Sequence, residues 1–379
     1  MSEAKRETPG TPADDRLKIE AFAESIGRLR EELRRRIVGQ DEVITQLIAG
    51  ILAEGHCLIV GLPGLAKTLL VSSLAELLSL SFKRIQFTPD LMPSDITGAS
   101  ILSDQPAGGR GFQFMKGPVF AHIVLADEIN RTPPKTQSAL MEAMEERQVS
   151  IGGVHFPLER PFFVLATENP IEQEGTYPLP VSQLDRFLFS IQIDYPSESE
   201  EFQVLVMTTS SYRSDLRKLF SREEVLEALN LSRRIEVEPR MLDYAARLVR
   251  ATRPSAASSP PMTKDFVAWG GGPRATQALL LGAKALALMS GRHQVVPDDI
   301  HAVAMPTLRH RIILKYHARA EGVSADDIVL HVLQSLPDGL YRKPPPAIRP
   351  ESGGGRGLFS RLFSRGRAST ATPPGLRGT

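Results

Sequence analysis

The sequence predicts an α/β domain built on a parallel five-stranded sheet with helices on both faces, followed by a small all-α domain. Two observations carry this reading. Five short, nearly continuous apolar runs, at 56–60 (HCLIV), 83–87 (KRIQF), 121–126 (AHIVLA), 162–166 (FFVLA) and 187–193 (FLFSIQI), alternate with helical or loop segments. Strands that are apolar along their whole length are covered on both faces, as in parallel sheets. Beyond Tyr195-Pro196 the strand signal stops and helical periodicity runs to about Leu336.

Taken in order, residues 1–16 read as a disordered leader and 17–195 as the α/β core. Phe22, Ile26, Leu29, Leu33 and Ile37 recur at helical spacing, and a second helix carries the stripe Val43, Ile44, Leu47, Ile48, Ile51 and Leu52. The first strand then ends at a glycine-rich turn and a Leu-rich helix through Leu78. Between the second and third strands lies a segment of about residues 90–118, too long for a plain connection. Gly152-Gly153 separates two short alternating stretches, which predicts a tight hairpin over about 148–157. Residues 196–338 form the helical domain, with a Leu/Ala-rich helix over Arg274–Met289 and a capping pair, Ser324 and Asp327, opening another. Residues 339–379 are rich in Pro, Gly, Ser and Arg and read as a disordered tail.

Composition narrows the class of protein. Hydrophobic residues make up 42% and charged residues 23% of the 379, which is ordinary for a soluble globular chain. The polar N-terminus does not read as a signal peptide and no apolar run approaches the roughly 20 residues of a membrane span, so neither secretion nor membrane spanning is expected. The single cysteine, Cys57, sits in an apolar strand and excludes an intramolecular disulfide, so a packing role in a reducing cytoplasm is expected. The net charge of +1 conceals eight Lys/Arg against one acid in residues 342–379, which leaves a mildly acidic body. That balance argues against nonspecific binding of duplex nucleic acid.

The chemistry concentrates in two places. GLPGLAKT at 61–68 falls between the first strand and its helix, the context of a phosphate-binding loop. The loop Gly61, Leu62, Pro63, Gly64, Leu65 and Ala66, with Leu69 in the following turn, brings the backbone N–H groups of its non-proline residues and a helix N-terminus to the phosphates. Lys67 supplies a compact positive charge and Thr68 an oxygen for Mg²⁺. Ala66 stands where glycine is usual, and its small side chain allows a close approach provided that its backbone is not left-handed. The strand HIVLA ends in Asp127-Glu128, two carboxylates at the carboxyl end of a parallel strand. Asp127 suits Mg²⁺ through water, and Glu128 suits orienting and polarising an attacking water, because phosphoryl transfer needs positioning and charge neutralisation.

With these residues in place the chain resembles an AAA+ ATPase, specifically the MoxR branch. The resemblance is carried by VGQ at 38–40, GLPGLAKT, DLMPSDITG at 90–98, LADEINRTPPKTQSALMEAMEERQVS at 125–150, ATENPIEQEGTYPLPVSQLDRFLF at 166–189 and GPRA at 272–275. These motifs are in the family's order and cover roughly residues 20–335. The resemblance implies a P-loop NTPase core with a helical lid, ATP and Mg²⁺ as cofactors, and Ala66 as the usual residue at its position.

The family pattern also implies roles for further residues. Asn169 resembles the first sensor, a neutral amide that reaches the terminal phosphate or the attacking water. Arg186 resembles the arginine finger directed at a neighbour's ATP, with Arg160 and Arg131 as competing candidates. Arg274 resembles the second sensor, which couples lid position to nucleotide state. Val38, Gly39 and Gln40 would frame the adenine. The 90–118 segment resembles an insertion into the second helix of the core, and the 148–157 hairpin resembles the one that precedes the first sensor; both would face a central opening and contact a client.

The resulting expectation is a cytoplasmic ATPase working as a homo-oligomeric ring, a hexamer by resemblance, whose cycle remodels, matures or activates a protein partner. Partners bearing a von Willebrand factor A domain are common in this branch. One alternative is a nucleotide-dependent assembly scaffold with little productive hydrolysis, recognised by a slow rate that no client accelerates. Another is a DNA motor, which requires hydrolysis stimulated by DNA.

Overall fold

The computed structural model describes residues 12–104, 110–171, 175–209 and 215–336. Residues 1–11 of the leader and the whole 339–379 tail lie outside these. The helices α1 (Pro12–Arg34) and α2 (Asp41–Leu52) precede strand β1 (Cys57–Gly61), helix α3 (Lys67–Leu77) and strand β2 (Phe82–Gln86). Helix α1 starts five residues inside the expected disordered leader. Its backbone reason is Pro12, whose fixed φ and missing N–H suit the first turn, and Asp15 pairs with Arg234 at 3.2 Å.

The long segment after β2 folds as a short helix α4 (Pro93–Thr97) and a hairpin of β3 (Gly98–Asp104) and β4 (Arg110–Lys116). Glycine is required at both sides of the hairpin's base. A Cβ on Gly98 would sit 2.1 Å from the Met115 carbonyl oxygen, and one on Gly117 2.3 Å from that of Ile96. Then come β5 (Ile123–Asp127), α5 (Pro134–Glu146), the hairpin β6 (Gln148–Ile151) and β7 (Val154–Pro157), β8 (Phe163–Glu168), α6 (Val181–Leu184) and β9 (Phe189–Ile193). Gly152 and Gly153 have φ of 58° and 78°, the conformation that a two-residue turn matching strand twist demands.

The central sheet has the order β2-β5-β8-β1-β9, with every neighbouring pair parallel. Strand alternation divides its side chains between two cores. Cys57, Ile59, Ile123, Leu125, Phe163 and Leu165 face α1, α2, α3 and the C-terminal helices. Leu58, Val124, Ala126, Val164 and Ala166 face the side of Ile96, Leu140 and Met144, on α4 and α5. Both faces are therefore dry, which explains strands without polar alternation. The stripe of α2 is buried at every expected position, and Cys57 is buried, with burial pushing its thiol up to about 12.

The C-terminal region contains α7 (Glu198–Thr209), α8 (Arg222–Arg234), α9 (Pro239–Ala251), α10 (Pro261–Phe266), α11 (Pro273–Met289), α12 (Pro297–Leu308), α13 (Tyr316–Ala320) and α14 (Ala325–Ser335). Ser324 caps α14 by accepting from the Asp327 N–H, and Asp327 answers with its carboxylate. A small ladder of β10 (Val267–Trp269) and β11 (Ile313–Leu314) interrupts the all-helical expectation; two and three residues are too few to leave a periodic signal. No helix among the described residues is long and apolar enough to cross a membrane.

Candidate functional site

The phosphate-binding segment leaves β1 at its carboxyl end and enters α3 at Lys67. Its backbone is left-handed at Gly64 (φ 84°) and also at Ala66 (φ 54°). The condition set for Ala66, a backbone that is not left-handed, is not met: Ala66 is in αL, a conformation that occurs in anion-binding concavities of successive N–H groups. Alanine bears a cost of about 1 kcal/mol for it. Lys67 Nζ donates to the carbonyls of Gly61 at 2.5 Å and Leu62 at 3.2 Å. Burial presses its pKa below the ordinary lysine value, and the nearby Asp127 and Glu128 carboxylates pull it back up. Thr68 follows as the second residue of α3, half-buried, with Leu69 exposed.

Strand β5 delivers Asp127 and Glu128 to the same carboxyl edge of the sheet, two strands from β1. Asp127 Oδ1 accepts from the Thr167 hydroxyl at 2.6 Å, and Oδ2 accepts from Arg84 Nη2 at 2.6 Å and Nε at 3.0 Å. Glu128 has φ 57°, a strained value for a residue with a side chain. Its N–H donates to Thr167 Oγ1 at 2.8 Å, and its Oε2 accepts from Gln86 Nε2 at 2.7 Å and lies 3.3 Å from Arg131 Nε. Both carboxylates are therefore aimed by neighbours rather than free to rotate. Asn169, buried, directly follows β8, the strand between β5 and β1, and its Oδ1 accepts from the Ile171 N–H at 3.2 Å.

The turn Val38–Gly39–Gln40 meets this loop through Gln40 Nε2, which donates to the Leu65 carbonyl at 3.4 Å. Gly39 (φ 65°) and Gln40 (φ 59°) are left-handed too, and a Cβ on Gly39 would collide with the Glu200 carboxylate of α7. Hard oxygen donors, the Thr68 hydroxyl and the Asp127 carboxylate, fit Mg²⁺, which keeps most of its waters and takes the rest of its ligands from phosphate. Among the described residues no cluster of three or more His, Cys, Asp or Glu is arranged to hold a metal by itself.

The remaining predicted residues gather elsewhere. Arg186 and Arg274 both pair with Glu145, at 2.6 and 2.8 Å, in a cleft of about 320 Å³. That cleft is lined by Glu54, Gly55 and His56, just before β1, and by Leu188, just before β9. It opens at the amino ends of the strands, whereas Lys67, Asp127 and Glu128 stand at their carboxyl ends. Five strand residues separate the two by about 16 Å. Arg160 joins Arg147 and Arg233 around Glu54, also at the amino end. Arg131 stays at the carboxyl end beside Glu128.

Several residues that hold these groups escaped the sequence reading. Arg84, Gln86 and Thr167 aim the two carboxylates. The polar alternation of β2, where Arg84 and Gln86 flank Ile85 and Gln86 sits in register with Asp127, was the available signal. Arg311 is buried and spends its donors on Asp185, Phe187, Leu188 and Thr307, which fixes the segment bearing Arg186. Nothing local marks it, since its partners are more than 120 residues away apart from Thr307.

Fold and site together define a P-loop nucleotide-binding module of the AAA+ class with its helical lid. Residues 56–189 match the ATPase family associated with various cellular activities (AAA), and residues 261–332 match the AAA lid domain. The chain is 42% identical over 323 residues to the chaperone MoxR1 of Mycobacterium tuberculosis, covering 84% of this chain and 83% of that one. It is 41% identical over 312 residues to the YeaC protein of Bacillus subtilis, covering 82% and 94%. A crystal structure of a protein from Cytophaga hutchinsonii superposes with a TM-score of 0.79 at 41% identity, over 86% of this chain and 98% of that one. The chain belongs to the MoxR family of AAA+ ATPases.

Proposed function

We propose that this chain hydrolyses ATP between subunits of a homo-oligomeric ring and uses the cycle to remodel a protein partner. One observation carries the reading: the arginines Arg186 and Arg274 sit a strand length away from the same chain's phosphate loop. A permanently charged planar group of this kind serves a phosphate whose charge redistributes during transfer. Here that phosphate belongs to an adjacent subunit, in a head-to-tail contact that closes into a ring, a hexamer by family resemblance.

Within the pocket, the loop Gly61–Thr68 holds the triphosphate, Lys67 neutralises its outer charge, and Val38, Gly39 and Gln40 frame the base. Thr68 and Asp127 would hold Mg²⁺, which would supply charge neutralisation for the phosphate oxygens. Glu128, aimed by Gln86 and Arg131, orients the attacking water and accepts its proton, while Asn169 hydrogen-bonds the terminal phosphate or that water. Arg186 is the finger by its place in the family motif at 166–189, in preference to Arg160 and to Arg131, which lies beside its own Glu128. Arg274, a lid residue, reports nucleotide state to the lid.

Client contact falls to the two hairpins. Phe114 of β4 stacks on Phe156 of β7 at 4.1 Å, so they form one unit, and Phe112 (80% exposed), Leu102 and Met115 present apolar surface. The naming of a 42% identical relative as a chaperone supports a protein client; a client with a von Willebrand factor A domain fits the family. A pull-down with full-length Glu128→Gln in ATP tests the client. Specific, ATP-dependent capture that Phe112→Ser abolishes supports the reading; capture indifferent to both nucleotide and hairpin contradicts it.

A further inference from the structure

Glu145 is the point where the two donated arginines meet. It lies in the last turn of α5, where the helix dipole disfavours a carboxylate; the basic residue at that end, Arg147 at the C-cap, is paired with Glu54. The helix gains nothing from an acid there. Its Oε2 takes Arg186 Nη2 at 2.6 Å and its Oε1 takes Arg274 Nη2 at 2.8 Å. One carboxylate thus binds a guanidinium from the core and another from the lid, each on its own oxygen. Without it, two like charges lining one cleft with Arg311 would push apart. A guanidinium has five N–H donors, so pairing with Glu145 leaves both arginines able to bind phosphate. Their side chains are 30% and 51% exposed, open to an incoming subunit.

We propose that Glu145 is a positioning residue for the neighbouring subunit's ATP: it sets the spacing of Arg186 and Arg274 so that core and lid deliver their charges as a pair. This rests on the reading that both arginines act across the subunit boundary. Displacing the lid carries Arg274 away from Glu145 and breaks the pair, so lid position controls the neighbour's hydrolysis.

The test is Glu145→Gln in the full-length protein, which keeps the side chain's shape and removes its charge. Misplacing a charge in the transition state lowers kcat by up to about a hundredfold, and KM for ATP is expected to stay unchanged because binding resides in the intact loop. Mixing these chains with an equal amount of Lys67→Ala chains should recover part of the hydrolysis, since about a quarter of the contacts then join an intact phosphate loop to a subunit with intact Glu145. A parallel mixture of Arg186→Ala with Lys67→Ala separates the two claims. Recovery there without recovery for Glu145→Gln overturns this inference alone, and recovery in neither overturns the cross-subunit reading beneath it. An unchanged or raised kcat in Glu145→Gln also overturns the positioning role. If Glu145→Gln chains do not assemble, Glu145→Asp replaces them: it keeps the charge on a shorter arm, and an unaltered kcat in assembled rings overturns the proposal.

Discussion

The two ends of the central sheet hold their charged groups differently. At the carboxyl end, strained backbone does the work: Gly39, Gln40, Gly64, Ala66 and Glu128 all have positive φ, and the two carboxylates are each steered by hydrogen-bonding neighbours. The amino end has left-handed residues too, Glu54 (φ 52°) and Arg147 (φ 51°), but there ion pairs set the arrangement. Glu54, its side chain only 6% exposed, gathers Arg147, Arg160 and Arg233, while Glu145 gathers Arg186 and Arg274. Burial pushes the Glu54 carboxyl up, yet the hydrogen bonds from Arg160 and Arg233 outweigh it and hold it below the usual range. One end is shaped to receive a ligand through the main chain, and the other to hold charges ready for delivery. On the proposed reading, a molecule with these two ends works in series with copies of itself.

The sharpest way to separate the ends is to disable one group at each. Glu128→Gln should lower kcat by about a thousandfold, the worth of a well-placed base, with ATP affinity retained in a filter or fluorescence binding assay. Arg186→Ala should produce a loss of similar order, about a thousandfold, also with affinity retained. Lys67→Ala should differ from both by losing nucleotide affinity itself. If Arg186→Ala weakens ATP binding by the monomeric chain as strongly as Lys67→Ala does, the division between the ends is wrong.

Smaller effects sharpen the comparison through stability. Glu54→Ala leaves three arginines without their shared carboxylate and removes a tie between α8 and the core; thermal or urea unfolding should show a loss of about 2 kcal/mol. Acid should act at the amino end as well. His56 is buried there, its Nδ1 accepting from the Val164 N–H, and burial holds its pKa down at about 4; burial likewise lowers His310, which packs on the Phe187 carbonyl. For a base with a depressed folded pKa, the unfolded chain binds the proton first. Stability is therefore full above about 6.5 and falls as pH drops from about 6.5 toward 4. Melting temperatures measured across that window should decline, and a flat profile would show these rings to be solvated. Ala66→Gly should be the mildest change, relieving up to about 1 kcal/mol of left-handed strain, partly offset by glycine's freedom when unfolded, with ATP binding kept.

The sheet and the phosphate loop were legible because their signals are local. Continuous apolar strands imply two covered faces, and a glycine-rich turn between strand and helix implies an anion site. The same holds for the α2 stripe and the Ser324–Asp327 cap, where a few neighbouring residues determine the outcome. Features that depend on distant partners were not legible. Glu145 reads as one more acid on a charged helix, and only its meeting with Arg186 and with Arg274, 129 residues away, gives it a role. Arg84 looks like a solvated strand residue until β2 is placed beside β5. Which end of the sheet Arg186 and Arg274 occupy is likewise a property of the folded chain, because sequence order places Arg186 just after the Asn169 strand yet the chain reverses before β9.

The account turns on a pocket divided between two subunits. The most direct measurement is ATP hydrolysis by an equal mixture of Arg186→Ala and Lys67→Ala chains after subunit exchange. Random pairing joins an intact phosphate loop to an intact arginine at about a quarter of the contacts, so the mixture should hydrolyse ATP well above either parent. A mixture no faster than the mean of its parents would contradict the account.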